Sequence, residues 1–210
     1  MVYMRRRWGR ALMIKKEGNM KTWGLFRPFT SREIAFIAMM GAAGNALSML
    51  STYVGNIHPQ IALDLSHVAT FISALYLGPL SGFVTGCIAS LFPFYRFGLT
   101  GLLGPVLGLM VIFEKGLTGL FAGILARKVR PFIAVILGYV PECILMYLTL
   151  VHLTSVLYFL ALPDAATIFG AIFLTIFFKA WLEIFVMSFL MEVINLNQSF
   201  RQLLTRIRGD

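Results

Sequence analysis

Long apolar runs separated by short polar breaks dominate this chain. They cover Glu33–Thr52, Ile61–Tyr95, Pro105–Ala126, Pro131–Leu153 and Thr167–Val193. A helix needs roughly 20 apolar residues to cross a bilayer, so most of these runs read as one spanning helix each. Ile61–Tyr95, at about 35 residues, is too long for one ordinary span. Gly78-Pro79 and Gly82 interrupt it, and such residues punctuate structure. It therefore reads as a hairpin of helices over Ile61–Leu77 and Ser81–Tyr95. The pattern predicts an all-α membrane protein of about six transmembrane helices. Ser31 is the expected N-cap of the first helix. Pro105 opens a helix at a position where its missing N–H costs nothing. Tyr53–Gln60, Arg96–Gly104 and Thr154–Ala166 read as outer loops.

Composition supports lipid as the solvent. Of the 210 residues, 59% are hydrophobic and only 13% are charged, against about 25% charged in soluble domains. The formal net charge of +9 would by itself suit nucleic acid, but the placement of the charges argues otherwise. Arg5, Arg6, Arg7, Arg10, Lys15, Lys16, Lys21, Arg27 and Arg32 precede or abut the first apolar run. Arg127, Lys128 and Arg130 share one loop, and Arg201, Arg206 and Arg208 close the chain. Basic clusters at span ends mark cytoplasmic segments. An even span count puts both basic termini in the cytoplasm, and reading Ile61–Tyr95 as one span would put the C-terminal cluster outside. The expected organisation is a basic tail over 1–30, a six-helix membrane domain over 31–195 and a basic tail over 196–210, in the cytoplasmic membrane. No nucleic-acid partner is expected. The N-terminus runs too far before the apolar region to be a secretory signal, and Met13 or Met20 are alternative starts.

Three features could carry chemistry. Ala38, Ala42 and Ala46 recur every fourth residue, a smooth ridge that suits close approach of another backbone. It serves either this bundle or a partner. Second, ionisable residues lie within the apolar runs: Glu114, Lys115, Glu142, Lys179 and Glu183. Charges at membrane depth are expensive and face an interior or a cavity. Lys179 and Glu183, four apart, share a helix face and can pair. Glu183 and Glu192, nearer the cytoplasmic end, read as structural. Third, Asp64, Ser66 and His67, with Tyr95, Arg96 and His152, gather at the outer face. They read either as part of an interfacial belt or as contacts for a flat polar ligand. Cys87 and Cys143 form no CxxC pair, and His58, His67 and His152 make no local ligand pair, so no metal or cofactor is expected. Phosphate-loop, HExxH and GxSxG motifs are absent; if the protein moves something against a gradient, a separate subunit must supply ATP hydrolysis.

The order of these features resembles the substrate-binding S components of energy-coupling factor (ECF) vitamin transporters. The likeness runs from about Arg32 to Asn195. It rests on the Ala38/Ala42/Ala46 ridge, on LDLSHVATFISALYLGPLSGFVTG from Leu63 to Gly86, and on EKGLTGLFAGILARK from Glu114 to Lys128. The resemblance implies a transport subunit rather than an enzyme. It would bind a vitamin or precursor near the outer face and dock on a transmembrane coupling subunit carrying two ATPases. Carried onto this chain, Ala38, Ala42 and Ala46 become the docking face. The expected ligand contacts are Asp64, His67, Tyr95, Arg96, Glu114, Glu142, His152 and Lys179. An ion-coupled carrier or small channel, with Glu114, Glu142 and Lys179 as a relay, is the alternative. A lipid-modifying membrane enzyme is a third reading.

Overall fold

The computed structural model describes residues 29–54, 56–58, 61–62, 64–101, 103–158, 165–200, 202 and 207. Most of both basic tails, with Arg201, Arg206 and Arg208, and Pro163 and Asp164 lie outside the described residues. The described residues are mostly helical, with one small β-hairpin among them. α1 spans Ser31–Val54, β1 Asn56–His58 and β2 Ile61–Ala62. α2 spans His67–Leu77, α3 Pro79–Ala89, α4 Gly104–Leu125, α5 Pro131–Tyr147 and α6 Ala165–Leu196. Among the described residues, five helical stretches are long and apolar enough to cross a membrane: Ser31–Tyr53, Pro79–Leu99, Gly104–Leu125, Pro131–Leu153 and Thr167–Leu196. His67–Leu77 is apolar but shorter.

Local chemistry explains where the elements start and where they depart from expectation. The cap of α1 is Thr30 rather than Ser31. Its backbone N–H donates to Glu33 Oε2 at 2.9 Å, while the Glu33 N–H donates to Thr30 Oγ1 at 3.3 Å, a reciprocal capping box. α2 begins at His67, not at Ile61. The residues before it are spent on the antiparallel β1–β2 pairing and on a turn in which Asp64 Oδ1 accepts from the Ser66 N–H at 3.0 Å. The 11 residues of α2 rise only about 16 Å, roughly half the hydrocarbon thickness.

The hairpin turn follows the sequence closely. Gly78 has φ 108°, and Pro79 opens α3. A positive φ there disfavours any residue with a Cβ. A Cβ built on Gly78 would lie 4.0 Å from an Arg127 nitrogen, so the turn shares one end of the bundle with the basic Arg127–Arg130 loop. α3 stops at Ala89 rather than running unbroken to Tyr95, because Pro93 has no N–H for the Ala89 carbonyl. Polar side chains cover the break. Ser90 Oγ donates to Gly86 O at 2.9 Å, and Asn45 of α1 donates to Ile88 O at 2.7 Å while accepting from the Phe92 N–H at 2.8 Å. After the short helical segment Leu91–Pro93, a π-helix covers Phe94–Leu99, so much of the expected Arg96–Gly104 loop is helical. A second π-helix, Leu148–Leu153, extends α5, and helix Thr154–Tyr158 occupies the start of the expected third loop.

The tightest contact is between α3 and α4. A Cβ on Gly82 would lie 2.6 Å from the Gly119 carbonyl oxygen, and one on Gly86 would lie 2.5 Å from that of Lys115. Glycines on both helices let the backbones touch. The largest apolar cluster joins Phe71 and Ala74 of α2 to Ala122 of α4, Val135 and Tyr139 of α5, and Ile184, Met187 and Met191 of α6. The outer surface of α6 is a run of exposed apolar residues, including Phe178 (70% exposed) and Leu182 (68%). Water would penalise such a face, and lipid does not.

Gly82→Leu is expected to force α3 and α4 apart and cost about 1–3 kcal/mol or more, read as a lower unfolding temperature in detergent. At Gly170 a Cβ would meet nothing within 4 Å, so Gly170→Ala should stay within about 0.5 kcal/mol. Equal tolerance at the two positions would contradict the close approach.

Candidate functional site

The polar residues of five elements converge inside the bundle. Lys115, midway along α4 and 2% exposed, places Nζ 2.5 Å from Asp64 Oδ2 and 2.5 Å from Ser66 Oγ. Ser66 Oγ in turn donates to Asp64 Oδ1 at 2.5 Å. The Asp64 N–H donates to Glu183 Oε1 of α6 at 3.1 Å, and the same oxygen lies 3.2 Å from Lys179 Nζ. His67, the first residue of α2, sets Nε2 3.5 Å from Glu142 Oε1 and 3.9 Å from Asp64 Oδ2. The Thr118 hydroxyl of α4 donates to the other oxygen of Glu142. Glu114 is buried beside Thr149 and within electrostatic reach of Glu142. Buried charges persist only when paired or used, and here the pairing links the pre-α2 turn to α2, α4, α5 and α6. Among the described residues, no group of three or more His, Cys, Asp or Glu side chains is arranged to hold a metal ion.

Aromatic rings border the network. Tyr139 of α5 meets His67 edge-on at 6.1 Å and Trp181 of α6 at 5.5 Å, and Phe71 stacks on His67 at 5.8 Å. Further centroid separations connect Trp181 to Phe177 (6.1 Å), Phe177 to Phe173 (5.6 Å), Phe173 to Tyr147 (5.1 Å) and Tyr147 to His152 (5.3 Å). One series of rings thus runs from the far end of α5, opposite the basic end, to the polar centre. A crevice of about 30 Å³ also reaches Asp64 from that side, lined by Ser48, Thr52, Phe92, Pro93, Arg96 and Phe97.

The structure therefore brings together Asp64, His67, Glu114, Glu142 and Lys179 of the eight expected contacts. His67 is buried within the bundle, and Asp64 is part-buried between Lys115 and the crevice. Arg96 stands at the crevice rim, where Nη1 donates to Thr52 Oγ1 at 2.7 Å. Tyr95 is 55% exposed, and His152 is exposed beside Tyr147, so both lie apart from the network. Glu183 belongs to the network despite its expected structural role nearer the cytoplasmic end. Glu192 does act structurally, accepting from the Phe132 N–H at the start of α5 at 3.2 Å. Lys115, Ser66, Thr118 and Tyr139 are additional members. For Lys115 the signal was available, since a lysine in the middle of an apolar span needs a partner. Tyr139 and Thr118 carry no such signal in the sequence.

A family model described as "ECF transporter, substrate-specific component" matches residues 32–195, a span that contains the whole network. No curated protein matches, and no solved structure matches. Independently of family, the pairing has a measurable consequence. Lys115→Met leaves the Asp64 carboxylate without its ammonium and is expected to cost about 3 kcal/mol. Adding Asp64→Asn should recover much of that loss. Additive losses in the double variant, measured by thermal unfolding in detergent, would show that the two groups do not act as a pair.

Proposed function

The chain belongs to the ECF transporter substrate-specific component family, and from that premise we propose that it captures a vitamin or vitamin precursor from outside the cell and delivers it inward. Membership makes it a membrane substrate-binding subunit of an ECF transporter, a transport subunit and not itself an enzyme. The observation that carries the finer reading is the polar network, sealed among apolar helices and reached from the end opposite the basic loops. Such an arrangement suits a small ligand with several hydrogen-bonding groups and a ring for the aromatic side chains.

In this reading the membrane is crossed six times. The second crossing combines α2 with the chain that descends to it. Arg32, Arg127, Lys128 and Arg130 share one end of the bundle with the Gly78 turn, which supports a cytoplasmic assignment for that end and for both termini. The docking face for the coupling subunit is the alanine ridge. Ala38, Ala42 and Ala46 are all exposed, while α1 packs inward through Phe36, Ile37, Gly41, Gly44, Ser48 and Ser51. The ridge is thus left over after intramolecular packing, and small residues let a second helix come close. The coupling subunit and its two ATPases would supply the energy.

Two outcomes test this. Reporter fusions after Lys21 and after Gly209 should both report cytoplasm, and an external signal from either would remove the six-crossing arrangement. In reconstituted vesicles, uptake of the compound that co-purifies with the protein should need ATP and the coupling module but no ion gradient. Ala42→Trp should abolish uptake and complex formation while ligand binding by the isolated subunit and its melting temperature stay unchanged. Uptake driven by an ion gradient alone would favour a secondary carrier instead.

A further inference from the structure

The network is short of positive partners. Four carboxyl groups meet there. Asp64 is held by Lys115, and Glu183 by Lys179. Glu142 has the Thr118 hydroxyl and the His67 imidazole, while Lys115 reaches it only as a longer-range charge. Glu114 has Thr149, and the charged group acting on it is Glu142, of its own sign. Among the described residues, neither glutamate forms an ion pair with a lysine or arginine. Two neighbouring carboxyls in that condition, 6% and 9% exposed, are costly in an apolar bundle.

A second observation points the same way. His67 is 5% exposed, and its Nδ1 has no hydrogen-bond partner among the described residues, although buried polar atoms are almost always bonded. Its Nε2 faces the carboxylates of Glu142 and Asp64, so Nε2 carries the proton and Nδ1 is left as an acceptor. His67 Nδ1 and the two glutamates that lack a lysine are therefore acceptor positions. The ring of Tyr139 lies beside His67 and within electrostatic reach of Glu142, Glu114 and Glu183.

We propose that the ligand is a planar nitrogen heterocycle that presents positive charge or an N–H donor edge, of the amidine or aminopyrimidine kind, to Glu142, Glu114 and His67 Nδ1. This rests on the substrate-binding reading and narrows it. A cationic or N–H-rich edge supplies the missing partners, and an aromatic face suits both ring stacking and cation–π contact. An anionic ligand would add a further negative charge to a site that already has unpaired carboxyls.

The test ranks probes by charge on the purified full chain in detergent, using thermal shift and titration calorimetry. Thiamine supplies a permanent cation, and 2-amino-4-hydroxypteridine a neutral amidine-like edge. Nicotinate supplies a planar anion, and pantothenate a flexible one. At least one of the first two should raise the melting temperature and bind at least about 10-fold more tightly than either anion. Glu142→Gln should weaken that binding by about 10- to 150-fold, the range for a charged hydrogen bond. Phe178→Ala, on the lipid-facing side, should not change it. If Glu142→Gln does not fold, the wild-type ranking decides by itself. An anion that outranks both donors overturns the ligand class and leaves the transport reading standing. If neither donor binds, the class is likewise overturned. If, in addition, nothing co-purifies and the chain supports no uptake with its coupling module, the substrate-binding reading falls too.

Discussion

An ammonium group buried in an apolar bundle must be met by a fixed negative charge, and the Lys115–Asp64 pair is the contact on which the rest of this structure depends. Asp64 is not on a helix. To reach Lys115, the chain after α1 has to turn into the bundle, and α2 can begin only once the carboxylate is in place. α2 itself has 11 residues. The same aspartate uses its other oxygen to organise the turn through Ser66, and its backbone N–H to hold Glu183. One residue thus ties the start of α2 to α4 and α6.

The glycine contacts between α3 and α4 serve this arrangement. Gly86 lies against the Lys115 carbonyl, and Gly82 against Gly119. With no side chains between the two backbones, α4 is seated at a definite height and rotation, and Lys115, Thr118 and Glu114 take their directions from it. Dispersion contacts at close range replace the hydrophobic drive that a bilayer cannot supply. α1 uses small residues in two ways at once. Gly41 and Gly44 pack inward against Ile88 and Ala89, whereas the alanines every fourth residue face out. Helical geometry separates these two surfaces on a single element.

Lysines hold the network at Asp64 and Glu183 but not at Glu114 and Glu142. The Asp64–Lys115 and Glu183–Lys179 pairs join the turn before α2 to α4 and hold α6, whereas among the described residues Glu114 and Glu142 form no ion pair with a lysine or arginine and His67 Nδ1 has no hydrogen-bond partner. A polar site of this kind gains specificity from acceptors that are costly to leave unfilled. The rings that lead from His152 and Tyr147 to Trp181 and Tyr139 form a continuous aromatic border beside the network. The crevice at Arg96 and Thr52 approaches Asp64 from the same side.

Much of the architecture was legible along the chain because it depends on short-range patterns. Apolar length marks the long helices, Gly78-Pro79 marks the hairpin turn, the Arg127–Arg130 cluster marks the same end as that turn, and spacing by four pairs Lys179 with Glu183 and aligns the three alanines. Even the capping box of α1 was written in Thr30 and Glu33, although Ser31 looked as suitable. The centre of the site was not legible in this way. Lys115 and Asp64 are 51 residues apart, and Glu183 and Asp64 are 119 apart; no local period connects such positions. Apolar residues at Ile61 and Ala62 read as helix because composition alone cannot separate a buried strand from a helix end. Which carboxylates meet a lysine, and which are left without one, is decided by how the helices rotate and slide against one another. Those rotations are set by packing between distant segments, so only the tertiary structure determines them.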